Sequence, residues 1–150
     1  RYLSELSPAA VEQTPYIGGA DDFLFTWQRD RGVSGAPLLV DGQRFGRGLG
    51  IHSRTRLRYE LAGAYQRFEC SVGVADEVLA LGCKGSVVVR IQVDGKPVFE
   101  SPMLRAGEPA RAIPSVPLAG AQEMTIEVDF ADQGDVCDRA VIGDPVLVVK

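Results

Sequence analysis

The chain has 150 residues, with 16 basic and 20 acidic side chains and a formal net charge of -4. That length suits one domain, which buries roughly 70% of the surface its unfolded form exposes, so neither a metal nor a disulfide is needed to supply a core. The charge balance lacks the basic excess that grips a phosphate backbone, which argues against nucleic acid, and no apolar run reaches the roughly 20 residues that span a bilayer.

In chain order, Leu3 to Gln13 offers at most a turn or two of helix, interrupted by Pro8. The chain opens at Arg1 without methionine or a signal peptide and reads as one domain, residues 1–150, excised from a larger protein. Tyr16 to Pro37 is rich in glycine, aspartate and aromatics without a clean period. It reads as a structured loop region, and a loop this long in a compact domain is usually functional. Asp41-Gly42 then separates Leu38–Val40 from Arg44 and Phe45, as a hairpin turn would. The run Gly46-Arg47-Gly48-Leu49-Gly50 lacks the spacing of a dinucleotide loop and leads into strand rather than helix. Its missing side chains leave room for a ligand or another chain to approach.

Period-two alternation dominates the rest of the chain. Leu57, Tyr59 and Leu61 oppose Arg56, Arg58 and Glu60, so the arginines between Arg44 and Arg58 read first as the wet face of a strand. Phe68, Cys70, Val72 and Val74 continue the pattern, as do Val87, Val89, Ile91 and Val93. Asp94-Gly95 predicts a second hairpin, leading to Pro97–Phe99. Met124, Ile126, Val128 and Phe130 alternate with Thr125, Glu127 and Asp129, and the apolar run Val146–Val149 predicts a central strand covered on both faces. Many short strands punctuated by Gly, Pro and Asp turns predict an all-β sandwich or barrel. Of Cys70, Cys83 and Cys137, Cys70 lies in phase with Phe68 and Val72 and reads as a buried free thiol. The odd count and wide spacing leave the redox compartment open.

Several blocks together resemble the NPCBM family of carbohydrate-binding modules, over nearly the whole chain. They are Tyr2-Leu3-Ser4-Glu5-Leu6, Arg29-Asp30-Arg31 with Gly35-Ala36-Pro37-Leu38, and above all Arg44 to Ser53 followed by Leu57-Arg58-Tyr59-Glu60-Leu61. Phe68 with Val72-Gly73-Val74, Ile91-Gln92-Val93-Asp94-Gly95-Lys96 and Asp138 complete the set. The resemblance implies a jelly-roll β-sandwich of galactose-binding-domain type. It also implies a place in a secreted or envelope protein of bacteria, and a galactose-type or other plant or bacterial glycan as partner. Members often carry a tryptophan after the final aspartate, where this chain has Arg139.

A sugar site needs an aromatic face for C–H groups and polar side chains for hydroxyls. The candidates are Tyr16, Trp27, Arg29, Asp30 and Arg31 in the long loop, His52 and Arg54 after the glycine run, and Asp138. Extending the alternation back from Leu57 puts His52 on the face of Arg54, Arg56 and Arg58, hence accessible. Asp132, Asp135 and Asp138 offer hard oxygen ligands at short spacing, which suits calcium, and the galactose-binding resemblance implies that a structural calcium is common in such sandwiches. The rival from another class is a glycoside hydrolase, which needs two carboxylates flanking a cleft. His52 and Ser53, as strand neighbours, point to opposite faces and form no catalytic dyad. An interaction module without sugar is the other reading, supported by an aromatic content of only 7%.

Overall fold

The computed structural model describes residues 1–14, 26–83, 85–131 and 137–150. The first half holds β1 (Ala10–Gln13), β2 (Gln28–Arg29), β3 (Leu38–Val40), β4 (Gln43–Phe45), β5 (Gly48–His52), β6 (Thr55–Glu60) and β7 (Tyr65–Val74). The second holds β8 (Val87–Val93), β9 (Lys96–Glu100), β10 (Arg111–Ala112), β11 (Val116–Pro117), β12 (Glu123–Phe130) and β13 (Arg139–Val149). Short 3-10 turns at Leu3–Glu5 and Asp76–Leu81 are the helical elements among the described residues. Both Asp-Gly turns form: Asp41 and Gly42 have φ of 47° and 80°, Asp94 and Gly95 50° and 79°. Two successive positive φ values match the right-handed twist of the flanking strands.

Besides a separate two-stranded sheet, β3-β4, the described strands make two large antiparallel sheets. One runs β1-β6-β12-β8-β9; the other runs β10-β7-β13-β5-β2, with β11 also on β7. The alternating residues do what the pattern predicts. Leu57 and Tyr59 of β6, Val89 and Ile91 of β8, and Ile126 and Val128 of β12 meet Leu49, Ile51, Phe68, Val72, Ile142 and Leu147 of the other sheet in one core. Each such side chain contributes roughly 1.5–3 kcal/mol by leaving water. The charged partners Arg56, Arg58 and Glu60 remain on the outer face of the first sheet.

Two expectations change. Residues 10–13 form an edge strand on β6, although Ala-Val-Glu-Gln carries no alternating signal and its burial is slight. β13 is central, between β7 and β5, but its doubly covered part is Ala140–Gly143; Val149 is 57% exposed. The outer cover is the β3–β4 hairpin, whose Leu38, Val40 and Phe45 pack on Val141. That hairpin lies flat because the strands beneath it carry glycine. A Cβ at Gly143 would stand 2.5 Å from the Phe45 ring, one at Gly73 2.6 Å from Val40, and one at Gly48 2.8 Å from Leu38. Asp76 clamps the tip, accepting the Asp41 and Gly42 N–H groups at 2.7 and 2.9 Å. The register of β13 against β7 slips between Gly143 and Val146. This bulge is where Asp144 takes a φ of 47° and where Pro145 is tolerated inside a paired strand.

Cys70 is free and buried, as its phase predicts. Cys83 and Cys137 form a disulfide across 54 residues, with Cα atoms 6.4 Å apart, a pairing that the sequence spacing does not signal. Burial pushes the Cys70 thiol from 9.0 up to about 12. The buried thiol therefore stays protonated where the unfolded chain's thiol already ionises. Its contribution to stability is complete below pH 9.0 and is lost as pH rises toward about 12.

Two outcomes are expected. Gly143→Ala lowers stability in urea unfolding by about 1–3 kcal/mol, because the added methyl meets Phe45 in a filled space. Thiol titration without reductant counts none in the native protein, one after denaturation and three after reduction.

Candidate functional site

The site is built outward from Asp138, which is 0% exposed. Its Oδ2 accepts the Ser53 hydroxyl at 2.7 Å and its Oδ1 accepts the Ser86 N–H at 2.8 Å, while its own carbonyl accepts the Ser53 N–H at 3.2 Å. Ser53 lies at the corner where the chain leaves β5 for β6, and Ser86 immediately precedes β8. One carboxylate thus joins three segments from both sheets. Gly85 reinforces the junction: at φ of 61°, a Cβ there would collide with the Cys137 carbonyl oxygen, which excludes any side chain. The Asp138 oxygens are turned to backbone and serine donors rather than outward. With no exposed surface, Asp138 presents no oxygen to a sugar, which corrects its reading as a sugar ligand. Asp132 and Asp135, the other proposed calcium ligands, lie outside the described residues, as does Tyr16. Among the described residues, no three His, Cys, Asp or Glu side chains are grouped to hold a metal ion.

His52 ends β5, opposite Arg139 of β13. Leu49 and Ile51 point into the core, so His52 shares the outer face with Gly48 and Gly50. It is only 7% exposed, and its Nδ1 lies 2.6 Å from the Ser53 carbonyl oxygen. The sequence-based extension fails here because Ser53-Arg54 is a corner between sheets: His52 belongs to one sheet, Arg54 leads into the other. Beside His52, Arg139 pairs with Glu77 at 3.5 Å, and Glu77 also accepts the Ser34 hydroxyl. Sequence reasoning misses this cluster, in which Arg139 and Glu77 are half-buried and Ser34 is exposed. Its one signal is the arginine standing where tryptophan is common.

Arg54, Arg56 and Arg58 are the outward side chains of β6 and its approach, and they meet carboxylates. Arg54 lies 3.3 Å from Asp129, Arg56 3.3 Å from Glu127, and Arg58 3.0 Å from Glu123. Arg90 bonds Glu100, Asp129 and Glu127 at 2.6, 2.6 and 3.0 Å, and these bonds, Glu100 first, push its guanidinium further above its ordinary range. Arg54 is therefore part of a charge ladder on the opposite sheet and does not join the other candidates.

What the structure does bring together is Trp27, Arg29 and Arg31. With Gln28 they line an open groove of about 450 Å³ along β2, the last strand beyond β5 in the described sheet. Trp27 packs against the core, and the Arg29 guanidinium lies 4.9 Å from the centre of its ring. Arg29 Nη2 also donates to the Leu6 carbonyl and the Ser7 hydroxyl, both at 3.1 Å, which fixes the side chain. Asp30 points elsewhere. At φ of 56° it turns to β5, where its Oδ1 accepts the Gly48 N–H at 3.0 Å and its Oδ2 faces Arg47 at 3.8 Å. The glycine run Gly46–Gly50 admits the protein's own backbone: a Cβ at Gly50 would collide with the Arg31 carbonyl oxygen.

The NPCBM/NEW2 domain family matches residues 1–148. This chain belongs to that family. Solved structures of the same fold come from Clostridium perfringens. A structure of ZmpB containing its M60 catalytic domain and two CBM51 domains matches with TM-score 0.83 and 30% identity over 99% of this chain, but over only 15% of its own length. The ZmpB CBM51-2 module, solved in complex with GlcNAc, matches with TM-score 0.83 and 27% identity over 99% of this chain and 31% of that one. The CBM51 module of a GH95 protein, solved with methyl-galactose, shares the β-sandwich at TM-score 0.84 and 23% identity, with 99% of each chain covered. The "putative endo-alpha-N-acetylgalactosaminidase" of Renibacterium salmoninarum is 32% identical over 94 residues, 63% of this NPCBM/NEW2 chain and 6% of that protein. The fold is thus a carbohydrate-binding-module sandwich, and it makes up a small part of the large relatives it matches.

Removing the central carboxylate tests the junction. Asp138→Ala leaves a hydroxyl and a backbone N–H without their buried acceptor and is expected to cost about 2–4 kcal/mol in chemical unfolding. Ser53→Ala, which removes one donor to the carboxylate and leaves Ser86 bonded, is expected to cost about 1.5–3 kcal/mol.

Proposed function

We propose that this chain is a non-catalytic carbohydrate-binding module and that it holds sugar in the groove of Trp27, Gln28, Arg29 and Arg31. Family membership and the GlcNAc-bound ZmpB module support the class. The observation that carries the site is the union, in one open groove, of an aromatic ring with amide and guanidinium donors. A sugar presents both apolar C–H and hydroxyl groups, and only such a mixed surface answers both. Trp27 serves as buttress as much as platform, since it carries Arg29 over its ring. The groove lies along a strand edge held by β5, so ligand meets a preformed surface. In a longer secreted protein, such a module would keep the parent chain on its glycan.

The chemistry of the described residues supports binding over catalysis. Ser53 is fully buried and its hydroxyl donates to Asp138, while the His52 ring nitrogen faces a carbonyl oxygen. The abundant carboxylates of the first sheet are engaged by arginines rather than set across a cleft.

Calorimetry with galactose, N-acetylglucosamine and a broad glycan panel tests the reading. Saturable binding is expected, weakened about tenfold by Trp27→Ala with the circular dichroism spectrum unchanged. Silence across the panel, with a protein partner captured instead, would establish the interaction-module alternative. Turnover of a glycoside by the isolated chain would overturn both.

A further inference from the structure

We infer that the Trp27 groove selects acidic sugars, those carrying a carboxylate or a sulfate, over their uncharged counterparts. The inference rests on the sugar-binding reading above and adds the chemical class of the ligand.

Its basis is how this protein treats arginine. Arg1, Arg47, Arg54, Arg56, Arg58, Arg67, Arg90 and Arg139 each face a carboxylate within 4.0 Å. In a chain of net charge -4, acid is in excess and such pairing is the default. Arg29, Arg31, Arg44 and Arg111 have no such partner among the described residues, and of these Arg29 and Arg31 stand together in one groove beside Trp27. The acid between them in sequence, Asp30, does not neutralise them: its carboxylate is taken up by the Gly48 N–H and Arg47. Two exposed guanidiniums thus share a groove without a counter-charge from the described residues.

Their geometry favours an anion further. Arg29 is held by its stack on Trp27 and by two hydrogen bonds from Nη2, which leaves Nε and Nη1 for a ligand at little cost in side-chain entropy. Arg31 is exposed and presents its fork of donors to the groove. A planar guanidinium matches two oxygens of a carboxylate or sulfate with parallel bonds, which a hydroxyl cannot reproduce. At about 450 Å³ the groove falls within the range of roughly 300–1,000 Å³ common for small-molecule sites, ample for one sugar residue with its acid group.

Trp27 is the only tryptophan, so intrinsic fluorescence reports directly on this groove. The protein is titrated with galactose, galacturonate and galactose 6-sulfate at low and at high NaCl concentration. At low salt, galacturonate or the sulfate is expected to bind about tenfold tighter than galactose, an advantage that shrinks at high salt. Arg31→Gln should bring the ratio of acidic to neutral affinity toward one, with Arg31→Lys intermediate. Tighter binding of galacturonate alone assigns the pair to carboxylates, and tighter binding of the sulfated sugar alone assigns it to sulfates. Equal affinity for galactose and both acidic sugars, or a preference untouched by Arg31→Gln, overturns the inference and leaves the sugar-binding reading standing. No saturable response to these sugars or to the broader glycan panel overturns both.

Discussion

Asp138 places a carboxylate where water does not reach, at a cost of several kcal/mol unless donors replace the lost hydration. The donors that replace it come from opposite sheets: the Ser53 hydroxyl at the end of β5 and the Ser86 N–H ahead of β8. Because both must converge on one group, the two sheets are joined at this end by polar contacts as well as by their apolar faces. The Cys83–Cys137 disulfide and the close passage of Gly85 over the Cys137 carbonyl lie directly beside it. The strands that leave this junction, β5 and β13, carry His52 and Arg139, and β2 is laid on β5. The groove along β2 inherits its position from a buried acid whose oxygens are turned inward.

Electrostatically the sandwich has two unlike faces. On the β1-β6-β12-β8-β9 sheet, arginines and carboxylates interleave along neighbouring strands, and the arginines of β6 and β8 meet their opposites on the same surface. Such exposed pairs contribute little to stability individually, but they leave little net field to attract a charged ligand. Along β2 the reverse holds. The Asp30 carboxylate is engaged by the Gly48 N–H and Arg47, and Arg29 and Arg31 face no carboxylate among the described residues.

The body of the sandwich is legible in the sequence because period two is enforced by burial. The runs that face the core in β6, β7, β8 and β12 read directly from their alternation, and so does the free thiol of Cys70 in phase with Phe68 and Val72. The site is legible only in part. Trp27, Arg29 and Arg31 stand out by residue type, but Asp30 is grouped with them because residue type says nothing of φ. His52 falls on the wrong face when alternation is counted through a corner at which the chain changes sheets, and a period has no meaning across such a break. Asp138 resembles a ligand because loop acids are usually solvated. Its burial depends on partners 85 and 52 residues away, which no local pattern reports.

The glycines under the β3–β4 hairpin carry a consequence of another kind. Gly48 lies against Leu38, Gly73 against Val40 and Gly143 against Phe45, each at a separation that leaves no room for a methyl group. The volumes in each pair are therefore complementary, and neither member can drift alone. At Gly48 the Ile142 carbonyl oxygen would collide with an added Cβ whatever stands at position 38, whereas at Gly73 and Gly143 the nearest atoms all belong to the hairpin side chain. In relatives where either of those two has grown to alanine or serine, the hairpin residue opposite should have shrunk, so these two pairs ought to stand out as covarying columns in any alignment of the family. That record would trace the docking of the hairpin through evolution even where neither residue is retained.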